Sequence, residues 1–367
     1  MTRAKGMEVE VLRDLLERGN DVTILDVRPA DERAEWFITG SVHRDAYDAL
    51  RAGDVSPLSG VSLPRNVPVV AVCAMGRTSV VAARHLAERG FEAYSLTGGM
   101  KAWSLAWNTA ELTADQASLA QVRRTGKGCL SYMLASGAEA VVVDASLEPE
   151  IYLRLAEARG WVIRHVLDTH IHADHLSRSR GLADLARASL WLPEPQRVRF
   201  EHRRLRDGDE LSFGRSSLRA IHTPGHTLES TCYLVDEAWL LTGDTLFPAS
   251  VGRPDLEANA DEARRRALLL HGSLRRIFGL DPGLLVLASH TGHPVAFDKR
   301  VVGEVLGAVR DTIQLSSDAD EFAERVLQRI PPTPPNHHAI VAHNEAGEFP
   351  AGDPTDLEAG ANRCAIS

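Results

Sequence analysis

The stretch His170-Ile171-His172-Ala173-Asp174-His175 places four side chains with metal-binding nitrogen or oxygen atoms inside six residues, just after the apolar run Trp161–Leu167. A strand that ends in such a turn can aim several ligands at one point. Imidazoles and carboxylates together suit zinc, iron or manganese. Working outward, three further candidates follow strand-like or apolar runs. His226 lies in His222-Thr223-Pro224-Gly225-His226-Thr227, Asp244 in Thr242-Gly243-Asp244-Thr245, and His290 after Leu284–Ala288. A site assembled on the rim of packed sheets needs this placement. His222 is expected to point away from the metal. His293, in a loop after Gly292, competes with His290, which is preferred. His202, His271, His337, His338 and His343 read as surface or packing residues.

A chain of 367 residues exceeds the usual size of one domain, so two are expected. Hydrophobic residues make up 44% and charged residues 25%, ordinary for a globular protein with sizeable cores. The net charge of −9, and the absence of a Lys/Arg stripe interleaved with aromatics, argue against nucleic acid as a partner. The Arg-rich pieces Arg197–Arg206 and Arg264–Arg276 are interrupted by acidic, apolar or small residues and read as solvated faces. No apolar run approaches the ~20 residues that span a bilayer, so no membrane partner is expected. The N-terminal residues lack the apolar core of a signal peptide. Cys73, Cys129, Cys232 and Cys364 are too few and too scattered for a disulfide framework, and a cytoplasmic location is expected.

Residues 1–106 alternate short strands with helices, an arrangement that predicts a parallel sheet covered on both faces. The apolar strand Val67–Val72 runs directly into Cys73. The loop Ala74-Met75-Gly76-Arg77-Thr78 and a helix over Ser79–Arg89 follow. Loop amides and the positive helix end then converge on the sulfur and favour a thiolate, with Arg77 able to add to the effect. This half resembles a rhodanese domain over about residues 7–105. The likeness rests on ILDVRPADE (24–32), the six-residue loop CAMGRT (73–78) and TGGMKAW (97–103). It implies that Cys73 carries a sulfane sulfur as a persulfide, and the loop length agrees with the sulfur-transferring branch. Thr78 occupies the last loop position, where many family members have Arg, and Arg77 precedes it.

Residues 107–120, polar and weakly periodic, are expected to be a linker. Residues 121–330 would form the second domain, and the Pro-, Gly- and Asn-rich tail 331–367 would pack on that domain. The motifs HxHxDH, GHT and GD with the late His290 resemble the metallo-β-lactamase fold over about residues 115–300, which implies an αββα sandwich. Two enzyme groups in that superfamily fit the spacing. Glyoxalase II-type enzymes use two zinc ions to hydrolyse a glutathione thioester. Persulfide dioxygenases bind one ferrous ion and oxidise a glutathione-like persulfide with O₂. The latter resemblance implies iron at His170, His226 and Asp244. His172, Asp174, His175 and His290 would then be outer-shell groups, or ligands of a second metal in the two-zinc alternative. Val251-Gly252-Arg253-Pro254-Asp255 is similar to that group's GRTD segment, implying that Arg253 lies at the thiol substrate. Gly128–Tyr132 and Ala361–Cys364 are also similar to family segments. Leu228-Glu229 replaces the Pro-Gly common after GHT, and Thr291 replaces an Asp that often follows the last His. A first half acting only as a binding or regulatory module is the non-enzymatic alternative. The sequence leaves a homo-oligomer open.

Overall fold

A computed structural model describes residues 4–194, 197–358 and 362–366. Its first half is a five-stranded sheet in the order Lys5–Met7, Ala93–Leu96, Val69–Val72, Thr23–Asp26, Val42–His43, with every pair parallel. Side chains of the central strand alternate between two cores. Val69, Ala71 and Cys73 pack on one face with Leu25, Leu58 and Leu86, and Val70 and Val72 pack on the other with Leu12, Ile24 and Trp103. A strand buried on both faces must read as an unbroken apolar run, which explains Val69–Val72.

The second half is a four-layer sandwich. A seven-stranded sheet runs from Arg203–Leu205 through the central Val162–Leu167, Glu139–Val143 and Leu130–Ser136 to Asn108–Ala114. A six-stranded sheet runs from Glu210–Phe213 to Glu304–Val305, and includes Ser216–His222, Thr231–Val235, Trp239–Gly243 and Leu285–Ala288. Leu134, Val141 and Leu167 of the first sheet meet Phe213, Leu218, Tyr233 and Leu241 of the second in a shared core. Helices Pro149–Arg159 and Ser179–Ala186 cover one outer face, and Ala260–Ile277, Leu306–Ile313 and Ala319–Gln328 cover the other. Among the described residues, no helix is long and apolar enough to cross a membrane.

The stretch 107–120 is not a linker. Asn108–Ala114 and Ala117–Arg123 pair antiparallel along their whole length around the turn Asp115-Gln116. They form two strands at one edge of the seven-stranded sheet. Small Ala and Thr side chains mute the period-2 alternation here, although Leu119 faces the sandwich core and Val122 the helix-covered face. The tail also departs from expectation, because it packs on both halves. It contains the helix His337–Ala346, the short helix Thr355–Glu358 and the strand Ala365–Ile366, which pairs with Ser250–Gly252. Lys101 of the first half pairs with Asp353 at 3.1 Å and with Asp356, and Glu35 pairs with Arg363 at 3.0 Å.

Candidate metal centre and sulfur loop

Each candidate ligand leaves the end of a strand and enters the same buried space. Val162–Leu167 delivers His170, Ser216–His222 leads to His226, Trp239–Gly243 to Asp244, and Leu285–Ala288 to His290. Gly243 makes the close approach: its φ is +53°, and a Cβ there would lie 2.7 Å from the Thr169 hydroxyl. His170, His226 and Asp244 are each at most 2% exposed, and one ligand atom from each lies within 4.8 Å of the others. Asp244 Oδ2 stands 3.6 Å from His226 Nε2 and 3.8 Å from His170 Nε2.

The neighbours of these rings set their tautomers. His226 Nδ1 donates to the Arg253 carbonyl at 2.8 Å, so Nε2 carries the lone pair. The Thr169 hydroxyl donates to Asp144 and therefore accepts from His170 Nδ1 at 2.9 Å, which likewise leaves Nε2 free. Burial, with the neighbouring His172 charge, pushes His170 down to about 3, so it is neutral at physiological pH. Among the described residues, His170 Nε2 and Asp244 Oδ1 are buried without any hydrogen-bond partner. Unpaired buried polar atoms of a nitrogen-and-oxygen set fit a cation such as zinc or iron.

The remaining motif residues separate from this triplet. His172 Nε2 bonds to Asp144 Oδ1 at 3.2 Å and groups with Asp144 and Asp168. Burial would lower His172, but the two carboxylates outweigh it and raise the ring to about 10. Asp174 accepts from His175 Nδ1 at 3.0 Å, His175 Nε2 has no partner among the described residues, and Cys129 joins that pair. His290 Nε2 lies 3.1 Å from Asp244 Oδ2, and Cys364 completes a cluster with them. His293 is exposed, and His222 turns away to the Leu228 carbonyl at 2.8 Å. The Glu229 that departs from the family pattern is buried and accepts from the backbone N–H of Ile171 at 3.2 Å, so it braces the metal loop.

The Arg253 side chain is engaged within the protein. It is fully buried; Nε and Nη2 bind Asp255 at 2.8 Å, while Nη1 donates to the carbonyls of Pro332 and Arg363. These bonds make it an anchor for the tail, and Arg363 and Cys364 belong to that anchored segment, whereas Ala361 lies outside the described residues. Sequence reasoning misses three participants: Asp144, Thr169 and Ser289. Asp144 gathers the Thr169 and Ser289 hydroxyls and His172 at φ +56°. The signal available was an apolar strand, Glu139–Val143, ending in a lone aspartate.

In the first half, Val69–Val72 delivers Cys73 to the mouth of helix Thr78–Glu88. The segment Thr97-Gly98-Gly99-Met100 holds the loop from behind. Met100 N–H donates to the Cys73 carbonyl at 2.9 Å, and the next residue, Lys101, donates its N–H to the Ala74 carbonyl at 3.0 Å. Gly99 permits this contact, since at φ +59° its Cβ position lies 2.2 Å from the Cys73 carbonyl oxygen. Burial would raise the Cys73 thiol, but the hydroxyls of Ser79 (3.2 Å) and Thr78 and the amides of Ser79 and Met75 outweigh it and lower the pKa. Arg77 lies exposed and is not among these groups, so hydroxyls and amides do the work expected of it.

Comparison with known proteins matches each half of the chain to a different family. The rhodanese-like domain family matches residues 8–106, and the metallo-beta-lactamase superfamily matches residues 124–290. A hydroxyacylglutathione hydrolase of Rhodospirillum rubrum is 33% identical over 159 residues, covering 42% of this chain and 58% of that protein. One from Anaeromyxobacter dehalogenans is 37% identical over 175 residues, covering 47% and 64%. The chain thus spans less than two thirds of the length of these curated relatives. Among solved structures, a metallo-beta-lactamase from Staphylococcus aureus gives a TM-score of 0.58 at 24% identity, covering 64% of this chain and 74% of that one. ETHE1 from Myxococcus xanthus gives 0.53 at 24% identity, covering 66% and 100%. Both likenesses establish the fold alone.

Proposed function

Because the chain joins a rhodanese-like domain to a metallo-beta-lactamase superfamily domain, we propose that it is a sulfur-handling enzyme with two chemistries. The second half oxidises glutathione persulfide, or a similar persulfide, with O₂ to sulfite. The first half carries sulfane sulfur on Cys73. The observation that carries this reading is the withdrawal of His172 from the His170–His226–Asp244 triplet into a pair with Asp144. The two histidines and one aspartate that remain are the ligand set of non-haem iron centres with open positions, which needs no third imidazole.

His170, His226 and Asp244 would hold a single ferrous ion, which when bound supplies dioxygen activation. The protein groups act around it. Thr169 and the Arg253 carbonyl fix the two imidazoles with Nε2 presented. His290 orients Asp244 through its 3.1 Å contact. Cys129 and Cys364, both 1% exposed, wall the centre and exclude water. Burial, and after it the Asp174 charge, pushes Cys129 up to about 12, so it stays a neutral thiol.

A two-zinc thioester hydrolase is the second reading. It is favoured by the names of the curated relatives and by the cluster of Asp174, His175 and Cys129 beside the triplet. Metal analysis coupled to oxygen uptake separates the two. The first reading requires iron near one per chain and O₂ consumption with glutathione persulfide. Two zinc ions per chain with hydrolysis of S-lactoylglutathione would replace it.

A further inference from the structure

A cavity of about 350 Å³ lies where the sulfur loop, the helix Gly99–Trp103 and the second half meet. Ala74 and Met75, the residues that follow Cys73, form one wall, and Met100 and Trp36 add apolar surface. Gly126 and Asp356 come from the second half and its tail. The junction is fixed: Trp36 Nε1 donates to the Thr125 carbonyl at 3.1 Å, and Arg124 Nε donates to the Ser104 carbonyl at 2.7 Å.

The polar lining is unbalanced. Arg28 is consumed by Asp26, at 3.0 and 2.7 Å, and Lys101 by Asp353 and Asp356. Glu35 is paired with Arg363. Among the described residues the Glu32 carboxylate makes no ion pair, because Arg28, whose charge it feels, reaches the Glu32 backbone carbonyl instead. Ser104, only 4% exposed, is among the residues around the same cavity. An unmatched carboxylate beside apolar thioether and indole surface describes a small ligand with a cationic end and a soft middle.

Building on the sulfur-transfer reading of Cys73, we propose that this interdomain chamber admits a small amino-thiol persulfide, with its ammonium at Glu32, and that the second half forms part of the sulfurtransferase site. The Cys73 thiolate attacks the outer sulfur of R–S–SH. The Cys73 S–S bond forms as the donor's own S–S bond breaks, and R–S⁻ leaves to take a proton from solvent. No external oxidant or reductant is needed. Dianionic thiosulfate, in contrast, meets the Glu32 carboxylate, while the lining cations Arg28 and Lys101 are already held by carboxylates.

The test loads the full-length protein with cysteine persulfide, N-acetylcysteine persulfide or thiosulfate and follows persulfidation of Cys73 by intact mass. The free amine is expected to load about tenfold faster than its acetylated counterpart, the size of a partly desolvated charge pair. Glu32→Gln should erase that preference. Asp356→Asn, by removing a carboxylate from the lining and leaving Lys101 only its Asp353 partner, should raise loading from thiosulfate several-fold. Equal rates for the two persulfides, or a preference that survives Glu32→Gln, would overturn the chamber while leaving Cys73 a sulfur carrier. No loading from any donor would overturn the sulfur-transfer reading itself, and the chamber with it.

Discussion

His172 and Asp144 form a buried pair, with Nε2 and Oδ1 3.2 Å apart, directly behind the triplet of His170, His226 and Asp244. Because Asp144 also gathers the Thr169 and Ser289 hydroxyls, and Thr169 in turn holds His170 Nδ1, the pair orients a ligand at one remove. His172→Gln is therefore expected to weaken metal binding by about 10–100-fold, the usual cost of losing an outer partner. His226→Ala should abolish it. Equilibrium dialysis with ferrous ion checks both, and equal losses would make His172 a direct ligand.

The two active regions are expected to fail separately. A methyl group at Gly99 would collide with the Cys73 carbonyl oxygen at 2.2 Å and with the Gly76 nitrogen at 2.6 Å. Gly99→Ala should displace the sulfur loop and slow loading of Cys73 by about 100-fold, the cost of a misplacement near 1 Å. Oxygen uptake should stay within about twofold, since the contact lies in the other half. His226→Ala should do the reverse. A folded variant that lost both activities would show that the two sites depend on each other.

Hydrogen bonds lower the Cys73 pKa despite its burial. The thiolate should thus persist at pH values where a free cysteine is protonated. Alkylation by iodoacetamide, followed against pH, is expected to give a midpoint below that of free cysteine. Ser79→Ala removes the largest favourable contribution and should move the midpoint up. A midpoint unchanged by this substitution would put the stabilisation elsewhere in the loop.

Glu358 is fully buried between Arg124 and Arg178, and also receives the N–H of Leu176 at 2.7 Å. The guanidinium groups overcome the burial penalty and hold its carboxyl at about 2, below the ordinary 4.5. A depressed carboxylate pKa contributes stability above the unfolded value, and that contribution fades as pH falls from about 4.5 towards 2. Glu358→Gln leaves buried Arg124 without its anion and Arg178 with only the 3.6 Å contact to Glu148, and should cost about 3–5 kcal/mol. Denaturant midpoints at neutral pH and at pH 3 test this: the gap between native and variant should narrow in acid.

The metal motif is legible in the sequence because its residue types are scarce and each one ends an apolar run. Cys73 is legible for the same reason, standing between Val69–Val72 and a helix. Asn108–Arg123 is not, because the alternation of Ala, Thr and Ser carries little hydropathy contrast; only the completed sheet shows which side of it is buried. The role of Arg253 escapes a local reading because its partners Pro332 and Arg363 lie far along the chain, and a GRPD pattern contains no trace of them. Asp144 is equally silent, since a strand-ending aspartate is ordinarily a turn residue, and the histidine it serves comes from another strand.

The tail that grips both halves has a consequence for protein engineering. Severing the chain at Trp107 would strip Trp36 and Trp103 of the Thr125–Gly126 surface they rest on, would take Lys101 and Glu35 from their ionic partners, and would cost Arg124 its bond to the Ser104 carbonyl. Transplanting either catalytic unit into a new host would require carrying this clasp along, or rebuilding its apolar and ionic contacts from scratch.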